Sequence, residues 1–217
     1  MDDLSTSWKR ADFAQQLPNA LQLVERVRRG ESVPVFDSFL RAMRLFVPSE
    51  RPLSFLDGAC TGGYYLDLAR AALPHRLDWT GSDIADAALR HARARHPTVG
   101  WHAASLTALP FAADRFDVVM AAGVLEHVPD WERALAEVAR VARRYVLLHR
   151  LRLSRDGRFH SQTIQMYGVP TTAHALPFHA VNALLAARDF VLVGSLDSYD
   201  DPRLGEQTAV YRRFTLA

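Results

Sequence analysis

Residues 55–69 read FLDGACTGGYYLDLA: an apolar run ending in Asp57, a string of small residues from Gly58 to Gly63, and an amphipathic stretch beginning at Tyr64. The rhythm predicts a strand over Leu53–Asp57, a tight loop, and a helix over Tyr64–Leu73. The pattern repeats downstream. Leu77–Ile84 reads as a second strand, Asp86–Arg95 as a helix and Val99–Ser105 as a third strand. Phe116–Gly123 is the fourth and most apolar strand, as a parallel strand covered on both faces should be. Trp131–Ala142 follows as a helix and Tyr145–His149 as a fifth strand. Strands alternating with helices of roughly 10–12 residues mean βαβ units and a parallel sheet.

The flanks differ. Residues 1–50 read as helical: Asn19–Arg29 stops at Gly30, and Val35–Val47 places Phe36, Phe39, Leu40, Met43 and Phe46 on one face before Pro48. After the fifth strand, Arg150–Leu176 shows no clear period and concentrates Ser, Thr, Gln, His and Gly. A stretch of that length without structure usually serves a function. Pro177–Asp189 reads as a helix, and Val191–Leu196 and Ala209–Leu216 as strands joined by a turn at Asp200, Asp201, Pro202 and Gly205. The expected architecture is α/β, a mostly parallel seven-stranded sheet with helices on both faces and a C-terminal antiparallel hairpin. Residues 1–50 form an N-terminal helical cap and 51–217 the main domain, with 150–176 a substrate-side insertion.

Composition narrows the function classes. With 49% apolar and 23% charged residues the chain suits a globular fold rather than disorder. A formal charge of +2, with Lys9 the only lysine among 26 basic residues, lacks the strongly basic footprint of a nucleic-acid binder. Cys60 is the sole cysteine, which excludes an intrachain disulfide and points to a reducing cytoplasm. The acidic start, Met1-Asp2-Asp3, is unlike a secretory signal. The longest apolar run, Val118 to Leu125, falls far short of the roughly 20 residues a bilayer needs. Neither export nor a membrane span is expected.

Open α/β sheets bind ligands outside the carboxyl ends of their strands. Three of the early strands here end in a polar side chain, Asp57, Asp83 and Ser105. The small residues after Asp57 allow close backbone approach, and the following helix start offers free N–H groups. Asp83 stands 20 residues beyond Gly63, at the spacing where an acid accepts the hydroxyls of an adenosine ribose. A nicotinamide dinucleotide site would read G-x-G-x-x-G and seat a pyrophosphate, which the carboxylate of Asp57 would repel. S-adenosylmethionine carries an ammonium and a sulfonium group, so it fits this charge pattern better.

These residues resemble the class I S-adenosylmethionine-dependent methyltransferases, Rossmann-like enzymes, over about residues 53–149. FLDGACTGGYYLDLA is similar to the family's first motif, usually close to L-D-x-G-C-G-x-G, and WTGSDIADAALRHAR to its second. SLTALPFAADRFDVVMAAGVLEHVPD resembles the adenine-side loop and fourth strand, and ALAEVARVARRYVLLH the helix and strand that follow. The resemblance implies cofactor contacts from Asp57, Ala59, Gly62 and Gly63 in the first motif. It adds Asp83 and Ile84 in the second, Ser105 and Leu106 in the adenine-side loop, and Ala122 at the fourth strand end. Ala59 and Thr61 stand where the family commonly has glycine, and Ser105 where many relatives have aspartate. Thr61 is β-branched, so an ordinary conformation is expected for it, with Gly62 or Gly63 making the bend.

Methyl transfer is an in-line displacement with a sulfonium leaving group, and a base is needed only when the acceptor must lose a proton. His127, after the fourth strand, is the leading candidate for base or substrate contact, and His149, at the fifth strand end beside Arg150, a second. LEHV is also similar to ubiquinone-pathway O-methyltransferases, whose metal-holding acid falls three positions before the Glu-His pair; here that position is Gly123, so no metal is expected. His160, Gln162, Gln165, Tyr167 and His174 in the aperiodic stretch, and Trp8 and Phe13 near the start, are candidates to face the acceptor. The reading is O- or N-methylation of a small polar acceptor. The alternatives are an RNA or protein methyltransferase, a non-catalytic partner of the same fold, and a nicotinamide oxidoreductase.

Overall fold

The computed structural model describes residues 4, 6–11, 16–48, 50–199 and 205–214. Phe13, the turn residues Asp200, Asp201 and Pro202, and Leu216 lie outside them. A short 3-10 turn at Ser7–Arg10 precedes helices α1 (Gln16–Arg28) and α2 (Pro34–Phe46). Then come β1 (Leu53–Gly58), α3 (Tyr64–Ala72), β2 (Leu77–Asp83), α4 (Asp86–Arg95), β3 (Gly100–Ala103) and β4 (Phe116–Ala122). The chain continues through α5 (Trp131–Val141), β5 (Ala142–Arg152), β6 (His160–Met166), β7 (Val169–Ala175), α6 (Phe178–Ala186), β8 (Phe190–Asp197) and β9 (Glu206–Arg213).

Seven strands form one sheet in the order β3-β2-β1-β4-β5-β9-β8. β1 to β5 run parallel and β8 and β9 form the expected antiparallel hairpin, with β9 inserted between β5 and β8. Period-two alternation puts successive β4 side chains into different cores. Val118 and Met120 join the core built with α1 to α4, while Val119 and Ala121 join that built with α5 and α6. The face of α2 predicted to be apolar packs into the first core through Phe36, Phe39, Leu40 and Met43.

Two expectations need correction. The stretch 150–176 is not structureless: β6 and β7 make a separate two-stranded hairpin. Its turn is Tyr167-Gly168, with φ of 49° and 78°, the left-handed pair of a type I′ turn. The sequence does not show the hairpin because β6 is mostly exposed and β7 buries small and polar residues, Thr171, Thr172, Ala173 and His174, so neither strand alternates apolar with polar. The second correction concerns β5, which runs on to Arg152 through a bulge: its pairing with β9 shifts register between Leu148 and Leu151, and Arg150 has a φ of 56°.

Candidate functional site

Strand order reverses between β1 and β4, and a cleft of about 440 Å³ opens there at the carboxyl ends of the strands. Its floor includes Gly58, Ala59 and Thr61 of the loop from Gly58 to Gly63. That loop is bent more sharply than the residue types suggest, since Ala59 has a φ of 144°, Thr61 of 47° and Gly63 of 78°. The expectation of an ordinary Thr61 is therefore overturned. In the non-glycine residues Ala59 and Thr61 such conformations cost on the order of 1–3 kcal/mol each and persist only where surroundings enforce them. Here distant elements do so. Thr61 N–H donates to Asp83 Oδ2 at 2.9 Å, Cys60 N–H to the Ser82 carbonyl at 2.9 Å, and Arg95 Nη1 to the Gly62 carbonyl at 2.9 Å.

The loop's last glycines face away from the cleft. A Cβ on Gly62 would lie 2.7 Å from Leu17 of α1, and one on Gly63 2.7 Å from the Trp101 ring. They serve helix and loop packing, and neither is on the cleft wall. Gly58 is on it, where a Cβ would meet Leu106 at 3.0 Å and the Met120 carbonyl at 3.2 Å.

Two carboxyl groups stand at adjacent strand ends. Asp57 is fully buried one layer below the cleft surface, and neither of its oxygens has a hydrogen-bond partner among the described residues. Burial, then the nearby Asp83, pushes its pKa well above the carboxylate range. Asp83 does line the cleft; it accepts from Thr61 and Ala85 amides, the latter at 2.8 Å. Burial also raises its pKa, against the pull of those amides. Ala59, Ile84, Ser105, Leu106 and Ala122 line the same cleft. The Ser105 hydroxyl is engaged locally, accepting from Thr107 N–H at 3.2 Å.

At the other end stand His127, Glu126 and Arg150, roofed by Trp8 and Tyr167. His127 Nδ1–H donates to the Thr172 carbonyl at 2.8 Å, which leaves Nε2 as the acceptor nitrogen. Burial lowers the His127 pKa, so the ring is neutral at pH 7. The Trp8 ring packs in tilted contact 5.3 Å from His127 and 5.9 Å from Tyr167, and its Nε1–H donates to Thr171 Oγ1 at 2.9 Å.

His149 does not reach the cleft. It is fully buried, packed against Phe39 and Tyr65 and bonded through Nδ1 to Thr208 Oγ1 at 2.8 Å, with its pKa driven down to about 3 by burial. The β5 bulge turns its neighbour Arg150 to the cleft instead. His160 is likewise elsewhere, exposed beside Asp156.

Glu126, the acid of the Glu-His pair, is buried, lines the cleft and has one oxygen, Oε2, without a partner among the described residues. Burial lifts its pKa to about 7. Between its ordinary value and about 7 the folded chain keeps a proton that the unfolded chain has lost, so this group's stability contribution disappears as pH rises through that window. Glu126→Gln is therefore expected to match the wild type in denaturant melts near pH 4 and to exceed it by roughly 1–3 kcal/mol at pH 8. Equal stability at both pH values would show that the carboxyl is not held protonated.

The sheet order, the strained loop after β1 and the acids at the ends of β1 and β2 define the class I S-adenosylmethionine-dependent methyltransferase fold. Residues 56–148 match the family model described as the methyltransferase domain. Among solved structures the chain resembles an S-adenosylmethionine-dependent methyltransferase from Mesorhizobium loti, with a TM-score of 0.60, 19% identity, and 82% of this chain and 98% of that one covered. It also resembles the Burkholderia thailandensis 1,6-didemethyltoxoflavin-N1-methyltransferase with bound 1,6-didemethyltoxoflavin and S-adenosylhomocysteine. That match has a TM-score of 0.59, 18% identity, and 92% and 90% coverage. The [4+2]-cyclase SpnF matches at a TM-score of 0.58, 12% identity, and 92% and 95% coverage. At these identities the likeness is one of fold, and a fold hosts more than one chemistry. No curated protein matches the chain in sequence. No helix among the described residues is long and apolar enough to cross a membrane.

Proposed function

We propose that the cleft binds S-adenosylmethionine and that the chain transfers its methyl group to a small polar acceptor in a reducing, cytoplasmic setting. The observation that carries this is the pair of acids at adjacent strand ends around a strained loop, with Asp57 buried and unsatisfied on both oxygens. A buried carboxyl without partners is costly unless a ligand compensates it, and the cofactor's ammonium and sulfonium are the matching charges. Asp83 would accept the ribose hydroxyls, and Ile84, Ser105 and Leu106 would flank the adenine. Once bound, the cofactor supplies an electrophilic methyl carbon. The protein positions the acceptor against it and excludes water. His127, through Nε2, would take a proton only from an acceptor that must lose one.

Because Asp57 sits below the surface with a raised pKa, a cation bound above it favours its ionisation. Binding of S-adenosylmethionine is expected to release protons over the pH range in which burial keeps Asp57 protonated. Calorimetry in buffers of different ionisation enthalpy measures this, and binding heats independent of the buffer would detach Asp57 from the cofactor.

Within the N-terminal segment 1–50, the part we assign to the cap is Trp8; with Met166 and Tyr167 of the 150–176 insertion it lines the cleft roof. On this reading S-adenosylhomocysteine protects the amides of 6–11 and 160–175 from hydrogen exchange. Tyr167→Phe should impair turnover while His160→Ala does not. Exchange in both segments that ignores the ligand would remove the cap.

A further inference from the structure

The β5 bulge has a chemical consequence at the acceptor end. In an even strand His149 and Arg150 would simply point to opposite faces of the sheet. Here the register against β9 slips and Arg150 takes a left-handed φ of 56°, a conformation that costs energy in a non-glycine residue. The strain places a guanidinium on the cleft wall with its side chain 31% exposed. Among the described residues its only ion pair is one long contact, Nε to Glu206 Oε2 at 3.3 Å, and the guanidinium also lies 5.8 Å from the centre of the Tyr199 ring. Nη1 lies along the floor at Gly123, where a Cβ would come within 3.4 Å of it. The missing side chain of Gly123, read in the sequence as the loss of a metal-holding acid, is thus the space beside this guanidinium.

We infer, building on the cofactor reading above, that the acceptor carries a carboxylate and that Arg150 binds it, with the acceptor's flat body lying under Trp8 and Tyr167. A guanidinium presents a planar fork of donors that matches a carboxylate in two parallel hydrogen bonds. The remaining charges at this end do not oppose an anion. His127 is neutral, and Glu126 holds its proton up to about pH 7. The groups that face Glu126 are Arg150 and Arg152 of β5, Glu206 of β9, Tyr199, and its chain neighbour His127. Above that pH Glu126 ionises beside Arg150 and competes with the acceptor for it. An amine acceptor in its cationic form would be repelled by both the guanidinium and the sulfonium.

The test titrates the full chain, with and without saturating S-adenosylhomocysteine, with benzoate and its neutral isostere benzamide, followed by calorimetry or ligand-observed NMR. Benzoate is expected to bind about tenfold or more tightly than benzamide. Arg150→Gln should abolish that preference while leaving S-adenosylhomocysteine affinity unchanged, and Arg150→Lys, which keeps the charge but not the fork, should retain only part of it. Benzoate affinity should fall severalfold between about pH 6 and pH 8 in the wild type and stay flat in Glu126→Gln. Equal binding of benzoate and benzamide, or a preference that survives in Arg150→Gln, overturns the inference. If Arg150→Gln fails to fold, the wild-type comparison and Arg150→Lys decide it. Failure of S-adenosylhomocysteine to bind would instead strike the cofactor reading, while the benzoate comparison on the unloaded chain still reports on Arg150.

Discussion

Replacing Asp83 by alanine is expected to weaken S-adenosylmethionine binding by about 1.5–3 kcal/mol, the range for losing hydrogen bonds to a charged group. Two losses combine. The carboxylate that would accept the ribose hydroxyls is gone, and so is the acceptor that holds Thr61 N–H at 2.9 Å and Ala85 N–H at 2.8 Å. The first of these bonds is what keeps Thr61 at a φ of 47°, so the cleft floor should relax as well. Asp83→Asn, which keeps one carbonyl acceptor, should lose less. Isothermal calorimetry on variants with wild-type circular dichroism is the measurement. Unchanged affinity in folded Asp83→Ala would rule out the ribose role.

Asp117→Ala should cost about 2–3 kcal/mol of stability and leave cofactor affinity alone. Asp117 lies at the start of β4, the end remote from the cleft, and is 1% exposed. It accepts from Arg51 Nη2 at 2.9 Å, from Arg143 Nη2 at 2.8 Å and Nε at 3.1 Å, and from Ser54 N–H and Oγ–H at 3.1 and 3.0 Å. Burial pushes its pKa up, but the bonds from Arg143, Ser54 and Arg51 win and hold it at about 2. Removing one member of a buried pair can cost roughly 3–5 kcal/mol. The figure is smaller here because Arg51 and Arg143 are 57% and 48% exposed and return to water. Because the folded pKa is depressed, this stabilisation is present above the ordinary aspartate value and fades as pH falls from about 4 to about 2. Urea melts at neutral pH and near pH 2 check both points. A neutral-pH loss below about 1 kcal/mol would show that the cluster is incidental.

The parts of the fold that local pattern governs were legible. The predicted helix over Asp86–Arg95 coincides with α4, and Phe116–Gly123 overlaps β4 except for its last residue. Seven residues expected at the cleft from the strand ends and the loops after them line it: Ala59, Asp83, Ile84, Ser105, Leu106, Ala122 and His127; Trp8 and Tyr167, expected from the flanking segments, line it too. The seven follow from strand ends, whose positions the apolar runs mark. The hairpin was not legible, because β7 packs on the Leu125–His127 turn and on the Ser7–Arg10 turn while β6 is mostly exposed, so neither strand carries an apolar alternation. Tyr167-Gly168, a two-residue turn between short β-competent segments, was the available signal.

By itself, then, the sequence determined the order of strands and helices of the main sheet, the double burial of the central strand, and the acids at the ends of β1 and β2. All of these depend on residue type and spacing along the chain. Only the tertiary structure decided which way the functional side chains point. Ala59 and Thr61 adopt conformations their own preferences disfavour because Asp83 of β2 and Arg95 of α4 hold the loop around them. His149 is sealed in the core and Arg150 turned to the cleft because β5 slips a register against β9, a strand more than fifty residues later. Such choices are made by hydrogen bonds and packing between distant segments, whose combined energy exceeds the local cost of a strained residue, and no local pattern of residue types records them.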